Sequence, residues 1–265
     1  MLKIHKINAG HYWSDGGALL GVLPYALWKD KTETDELRRK KMELNLVLIE
    51  SGDRLILVDT GIGNRLSDKQ KKIYRPSDFL LPYALYELGF KDKDITDVIM
   101  THLHFDHAGG VMTGMGESDV HTFPRAKYWI QKSEWEIAKA PDGLNKAAYD
   151  FEHQLSKIRV CCQLNLIEGD VEIAKGVRAI HCGGHTVGTQ YVEIDADDGF
   201  YIYAGDIIGT MFHTSPAITS AYDVNRKETF AAKQRIYQTL KEKNGTLLLN
   251  HDEKRWDVHI SELRV

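Results

Sequence analysis

His102, His104, Asp106 and His107 fall within six residues, in the run Thr101-His102-Leu103-His104-Phe105-Asp106-His107-Ala108-Gly109-Gly110. Imidazole and carboxylate hold divalent metals through nitrogen and oxygen, and histidine is the commonest metal ligand. Residues two apart on an extended chain point to the same side, so His102 and His104 aim together. Asp106 and His107 follow where Ala108-Gly109-Gly110 lets the backbone turn sharply. A strand end and a turn can thus aim two pairs of ligands at two neighbouring points. A polar loop with solvated histidines would explain any one of these residues, but it does not explain four at this spacing.

Three later positions repeat the pattern. His185 lies in Gly183-Gly184-His185-Thr186, Asp206 in Tyr203-Ala204-Gly205-Asp206, and His251 in Leu247-Leu248-Leu249-Asn250-His251-Asp252. Taken singly they read equally as a loop histidine, a turn aspartate and a histidine capping a strand. Together with the first cluster they place five histidines and two aspartates at strand ends, where sites gather in layered α/β folds. Seven nitrogen and oxygen ligands suit two divalent metal ions, with one carboxylate bridging and positions open for water. Zinc fits such a set, and iron, manganese or cobalt also fit a set without cysteine. The chain has 12 histidines. The other seven (His5, His11, His121, His153, His181, His213, His259) read as structural, although His213, Phe212 and Tyr222 follow the Asp206 loop and are candidate pocket residues.

These ligands need strands behind them. Leu2 to Asn8 reads as an edge strand. Residues 14–24, apolar with glycines and a proline, read as a buried turn-rich loop. Residues 14–28 offer either a lid over a pocket or a contact in a homodimer. Leu44–Glu50 and Leu55–Val58 flank a Gly-containing turn and read as a hairpin ending in Asp59-Thr60-Gly61. Helices are expected over 78–89, from Ser133 with a Ser133/Glu136 cap, over 144–159, and over 227–240. Further strands are expected at 95–101, 128–131, 163–167, 177–182, 191–194, 200–204 and 247–250. Trp13, Trp28, Trp129 and Trp135 read as core or pocket wall. The mixture implies an α/β fold with two largely mixed sheets covered by helices, and residues 1–265 read as a single domain.

Composition limits the function. Net charge is −4, from 34 Lys+Arg against 38 Asp+Glu. A phosphate-gripping protein usually shows a basic balance or stripe. The one dense basic run, Arg38-Arg39-Lys40-Lys41, reads as a solvated surface segment, so no nucleic-acid partner is expected. No apolar run of transmembrane length and no signal-peptide layout is present. Three cysteines (Cys161, Cys162, Cys182) make no disulfide framework or CxxC site. A cytoplasmic protein without membrane partners is the expectation.

His102-Leu103-His104-Phe105-Asp106-His107 matches the HxHxDH motif of the metallo-β-lactamase superfamily. Val58-Asp59-Thr60-Gly61, Gly184-His185-Thr186, Gly205-Asp206 and His251 match its other motifs in order, over residues 44 to 252. The resemblance implies an αββα four-layer sandwich with metals at one edge of the two packed sheets. It assigns His102, His104 and His185 to one metal; Asp106, His107 and His251 to the second; and Asp206 to the bridge. Asp59 resembles the aspartate that orients a ligand histidine from behind.

Within the superfamily, a bridging Asp206 and no signal peptide argue against the secreted β-lactamases. His104 in place of Glu argues against the flavodiiron branch, and the short segment after His251 against a glyoxalase II-type helical domain. Thr101–Gly110, Gly184–Thr186 and Ala221-Tyr222-Asp223 most resemble the acyl-homoserine-lactone lactonase and organophosphate hydrolase branch. Those lactonases commonly carry a Tyr three residues after the bridging Asp. Here Gly209 stands there, and Tyr222 or His213 are the candidates for its contacts.

The implied chemistry is hydrolysis of a small ester or lactone by metal-held hydroxide, with Asp106 as a catalytic ligand able to take up a proton. Phosphotriester, phosphodiester or thioester hydrolysis, mononuclear iron oxygenation and a non-catalytic metal-stabilised protein are the alternatives.

Overall fold

The computed structural model describes residues 1–114, 119–143, 146–161 and 163–265. In the first half of the chain the strands are β1 (Leu2–Asp15), β2 (Arg39–Ser51), β3 (Arg54–Val58), β4 (Asp97–Ile99), β5 (Met112–Thr113), β6 (Val120–His121) and β7 (Lys127–Gln131). The second half contributes β8 (Gln163–Ile167), β9 (Val171–Ala174), β10 (Val177–His181), β11 (Gln190–Ala196), β12 (Gly199–Tyr203), β13 (Thr246–Leu248) and β14 (Asp257–His259). One sheet has the order β1-β2-β3-β4-β7-β8, the other β14-β13-β12-β11-β10-β9, and β5-β6 form a small separate ladder. Both six-stranded sheets mix parallel and antiparallel pairs, as expected.

Helices α1 (Gly16–Leu20), α2 (Tyr25–Trp28), α3 (Asp68–Tyr74), α4 (Leu81–Glu87), α5 (Phe105–Ala108), α6 (Lys132–Lys139), α7 (Ser156–Cys161) and α8 (Arg226–Lys243) complete the chain. Three apolar clusters separate the layers. Val47, Ile49, Ile56, Val58, Val192 and Ile194 pack between the two sheets. Leu48, Leu57, Leu81, Leu85, Trp135 and Ile158 join the first sheet to its helices. Ile202, Leu247, Ala232, Ile236 and Leu240 join the second sheet to α8. Three interfaces are what a helix-sheet-sheet-helix sandwich requires, because each sheet buries both faces.

Several local expectations need correction. β1 continues to Asp15 through a one-residue bulge between Asn8 and His11. The segment after it is not a loop: Asp15 Oδ1 accepts from the Ala18 amide and caps α1, which buries Leu19 and Leu20. The basic run is not a solvated segment, because Arg39 and Lys40 are buried at the start of β2. Arg39 pairs with Asp35 at 2.6 Å and Lys40 with Glu253 at 3.3 Å, so each buried charge has a partner. Ser133 does not cap α6, which starts at Lys132 behind Gln131 without a side-chain cap. Of the helix expected over 144–159, residues 144–145 lie outside the described residues. The rest is a short 3₁₀ turn, a π-helical turn at Phe151–Leu155, and α7. Cys162 also lies outside the described residues. Trp28 and Trp135 are buried, whereas Trp13 carries the Arg75 guanidinium over its ring. Among the described residues, no helix is long and apolar enough to cross a membrane.

Candidate metal centre

Five of the seven ligand residues stand beyond the C-terminal end of a strand: His102 and His104 after β4, His185 after β10, Asp206 after β12, and His251 after β13. Asp106 and His107 sit in the single turn of α5, which begins at the extended His104. All seven are at most partly exposed, and His102 is fully buried. They gather into two groups, His102/His104/His185 and Asp106/His107/Asp206/His251, with the ligand atoms of each within 4.8 Å of one another.

The spacings fit cations. Two ligands bound tetrahedrally at ~2.0–2.1 Å from one zinc lie roughly 3.3 Å apart. His104 Nδ1 and His185 Nε2 are 3.1 Å apart, and His107 Nε2 and His251 Nε2 are 3.3 Å apart. The buried Nε2 atom of His102 has no hydrogen-bond partner; such an orphan is costly unless something else binds it. Asp206 faces both groups: its Oδ1 is 3.0 Å from His107 Nε2 and 3.1 Å from His251 Nε2, and its Oδ2 is 3.4 Å from His185 Nε2.

The far side of the imidazoles is held as well. His107 Nδ1 is 2.8 Å from Asp59 Oδ2, His185 Nδ1 is 2.9 Å from Asp223 Oδ1, and His251 Nδ1 donates to the Glu43 carbonyl at 2.7 Å. An acceptor on Nδ1 keeps the proton there and leaves Nε2 free for a metal. Burial, then the neighbouring imidazoles, push His102 and His104 well below the usual histidine range, so both are neutral and able to ligate. His107 is raised: burial opposes the charge, but Asp206, Asp106 and Asp59 outweigh it.

His213 and Tyr222 part company. Tyr222 lines a cavity of about 160 Å³ over the ligands, together with Tyr12, Leu19, Met42 and Phe105. The His213 ring is spent on structure, with Nδ1 2.8 Å from Thr210 Oγ1 and Nε2 3.1 Å from the Leu19 carbonyl. Burial, then Lys233, push its pKa down to about 4. The unfolded chain therefore takes a proton near pH 6.5 that the folded chain refuses until about pH 4. Stability is lost as pH falls through that window. Between pH 7 and 4.5 the loss from this residue is about 2 kcal/mol, and His213→Asn should shrink the measured pH dependence of urea unfolding by that amount.

Gly209 lies against the ligands. A Cβ there would stand 3.2 Å from Asn250 Oδ1 and 3.3 Å from His251 Cδ2, so the packing leaves no easy room for the lactonase tyrosine.

Sequence reasoning missed three participants. In the sequence Asp223 stands out only as part of Ala221-Tyr222-Asp223. Tyr12 lies beyond the point where the alternation of β1 stops being readable. Glu134 is fully buried, and its carboxylate accepts from the Leu103 amide (2.9 Å), Thr186 Oγ1 (2.5 Å), Tyr149 Oη (3.1 Å) and the Gly188 amide (3.3 Å). It ties the His102/His104 loop to the His185 loop. Glu134→Ala strands several buried donors at roughly 1–3 kcal/mol each. The expected result is at least about 2 kcal/mol less stability in urea unfolding, with weaker metal retention.

Two buried donor clusters at the strand ends of a four-layer sandwich define a metal-binding α/β protein. The profile of the Metallo-beta-lactamase superfamily matches residues 44–236, and the chain belongs to that superfamily of metal-dependent hydrolases. An N-acyl homoserine lactonase of Bacillus sp is 32% identical over 165 residues, a stretch covering 57% of each protein. A probable metallo-hydrolase of Mycobacterium tuberculosis is 23% identical over 231 residues, 77% of this chain and 62% of that protein. The chain thus spans little more than half the length of the lactonase it matches. The solved structure of a probable metal-dependent hydrolase from Staphylococcus aureus superposes with a TM-score of 0.89 at 29% identity, covering 97% of this chain and 92% of that one. A dizinc quorum-quenching lactonase shares the fold at 19% identity, with a TM-score of 0.77 over 97% of this chain and 90% of that one.

Proposed function

We propose that the protein is a hydrolase of small neutral esters, lactones foremost, which works with two divalent cations, zinc first among them. His102, His104 and His185 would hold one; Asp106, His107 and His251 the other; and Asp206 would bridge them. The observation that carries the substrate class is the cavity above these residues. It opens directly onto His104, Asp106, His185 and Asp206, its walls are mainly apolar and hydroxyl-bearing, and none of the described residues lining it is Lys or Arg. The cations would meet charge at the scissile group itself, but a thioester carrying a carboxylate away from that group would want a Lys or Arg in the wall. A neutral acyl group with a short apolar tail needs none. The larger groove, about 980 Å³, lies beside the turns that lead into β3 and β10 and contains none of the ligands.

When bound, the cations supply Lewis acidity and lower the pKa of a bound water to about 7. The chain's own residues do the rest. Asp59, Asp223 and the Glu43 carbonyl aim three imidazoles. Asn250 Nδ2 donates to Asp206 Oδ1 at 2.9 Å and fixes that carboxylate between the two groups. Asp106 also lines the cavity; its carboxylate can take up the proton shed as the tetrahedral intermediate forms and return it to the departing alkoxide. Leu19, Met42 and Phe105 keep the site poor in bulk water.

The test is a panel of γ-lactones, phosphotriesters, phosphodiesters and thioesters with the zinc-loaded protein. The highest kcat/KM is expected on a neutral lactone or ester. Faster cleavage of bis(p-nitrophenyl) phosphate than of any lactone would overturn the substrate class.

A further inference from the structure

Tyr12 belongs to β1, outside the stretch matched by the superfamily profile. Just before the bulge Ile7 and Ala9 are buried; beyond it the even-numbered Tyr12 and Ser14 are. One extra residue in a strand turns every later side chain to the other face. Gly10 makes this possible. Its φ is +116°, and a Cβ there would collide with Ser77. The bulge therefore points Tyr12 into the cavity over the ligand clusters.

The ring is only 4% exposed and meets the Phe105 and His251 rings edge-on. Its hydroxyl donates to Asp106 Oδ2 at 2.6 Å. That same oxygen lies 3.7 Å from His107 Nε2 and 3.6 Å from His251 Nε2. Tyr74 and Tyr222 line the same cavity, but Tyr12 is the one whose hydroxyl reaches a ligand carboxylate. The Tyr222 hydroxyl is 3.4 Å from Ser14 Oγ, both His213 nitrogens are engaged, and Tyr149 donates to Glu134. Gly209 carries no side chain at all.

Resting on the hydrolase reading above, we propose that Tyr12 is a catalytic residue: its hydroxyl leaves Asp106 Oδ2 and donates a hydrogen bond to the substrate carbonyl oxygen as that oxygen gains negative charge. No covalent bond to the tyrosine is made, and its proton stays on the phenol. Removing one donor of this kind from a buried site typically costs 10²–10³-fold in kcat; a donor that assists metal ions should cost less.

The test compares zinc-loaded wild type with Tyr12→Phe, which keeps the ring and its packing. Metal per chain is expected to be unchanged, KM within about threefold, and kcat on the best lactone lower by about 30-fold or more. Butylphosphonate, a tetrahedral anion, reads the same hydroxyl without turnover; calorimetry should show its Kd rising about tenfold. Unchanged kcat or unchanged phosphonate affinity overturns the proposal. So does loss of metal, which would make Tyr12 a clamp on Asp106 alone. If the wild type hydrolyses no ester, the hydrolase reading fails by itself, and the phosphonate comparison still decides the role of Tyr12. Tyr12→Leu, with the same readouts, separates loss of the hydroxyl from loss of ring packing, because only ring loss should also raise KM.

Discussion

Asp206→Ala is expected to strip the protein of most of its metal and to lower ester turnover by about a thousandfold or more. Its carboxylate faces both ligand groups. Its Oδ1 approaches His107 and His251 while its Oδ2 approaches His185. Removing it leaves each group one oxygen short and takes away a negative charge set among three imidazoles. Asp206 is itself held well below the usual carboxylate range; burial opposes ionisation, but His107, His251 and His185 outweigh it. Asp206→Asn keeps the shape and loses the charge, so it should retain the fold by circular dichroism while still losing metal. Elemental analysis of both variants, with kcat/KM on the best substrate, checks this. Wild-type metal content in Asp206→Ala would remove Asp206 from the site.

The second large effect comes from a residue that touches no proposed substrate. Asp59 is fully buried at φ +60°, a left-handed conformation that Asp and Asn tolerate better than most residues. Oδ1 accepts from the Thr101 amide at 2.7 Å, and Oδ2 accepts from Thr101 Oγ1 at 2.8 Å. Oδ2 also takes the Nδ1 proton of His107. Asn at this position fits the backbone and can still accept from the Thr101 amide. Its NH₂ then faces His107 Nδ1, which must become an acceptor. That moves the imidazole proton to Nε2, the atom facing Asp206 and His251, and blocks it as a ligand. Asp59→Asn should therefore weaken metal binding by about 10–100-fold, with a much smaller change in stability than Asp59→Ala. Metal titration of the apo-protein beside urea unfolding separates the two. Equal metal affinity in wild type and Asp59→Asn would show that the tautomer of His107 does not matter.

Much of the candidate centre was legible because several of its residues follow apolar runs. β4 leads into His102, β12 into Asp206 and β13 into His251, so chain order alone placed them at strand ends. Asp59 was legible for the same reason, at the end of β3. Tyr12 was not, because a bulge is one residue in an otherwise ordinary alternation, and nothing local in His11-Tyr12-Trp13 marks the change of face. Glu134 was hidden by its type. A glutamate in the first turn of a helix normally favours the solvent, and only the folded chain shows four donors converging on it. Lys40 misled in the same way, because its partner Glu253 becomes a neighbour only after folding; the partner of Arg39, Asp35, lies four residues back in the chain. His213 lay in the right region but works on the wall, joining the 210–213 turn to α1.

The central claim is that two cations, held by these seven side chains, hydrolyse a neutral ester. The most direct measurement is titration of chelator-stripped protein with Zn²⁺, following lactone hydrolysis and bound zinc together. Activity should be absent without metal and should reach its plateau at two equivalents per chain. Full activity in the stripped protein, or a plateau at one equivalent that further zinc does not raise, would contradict the claim.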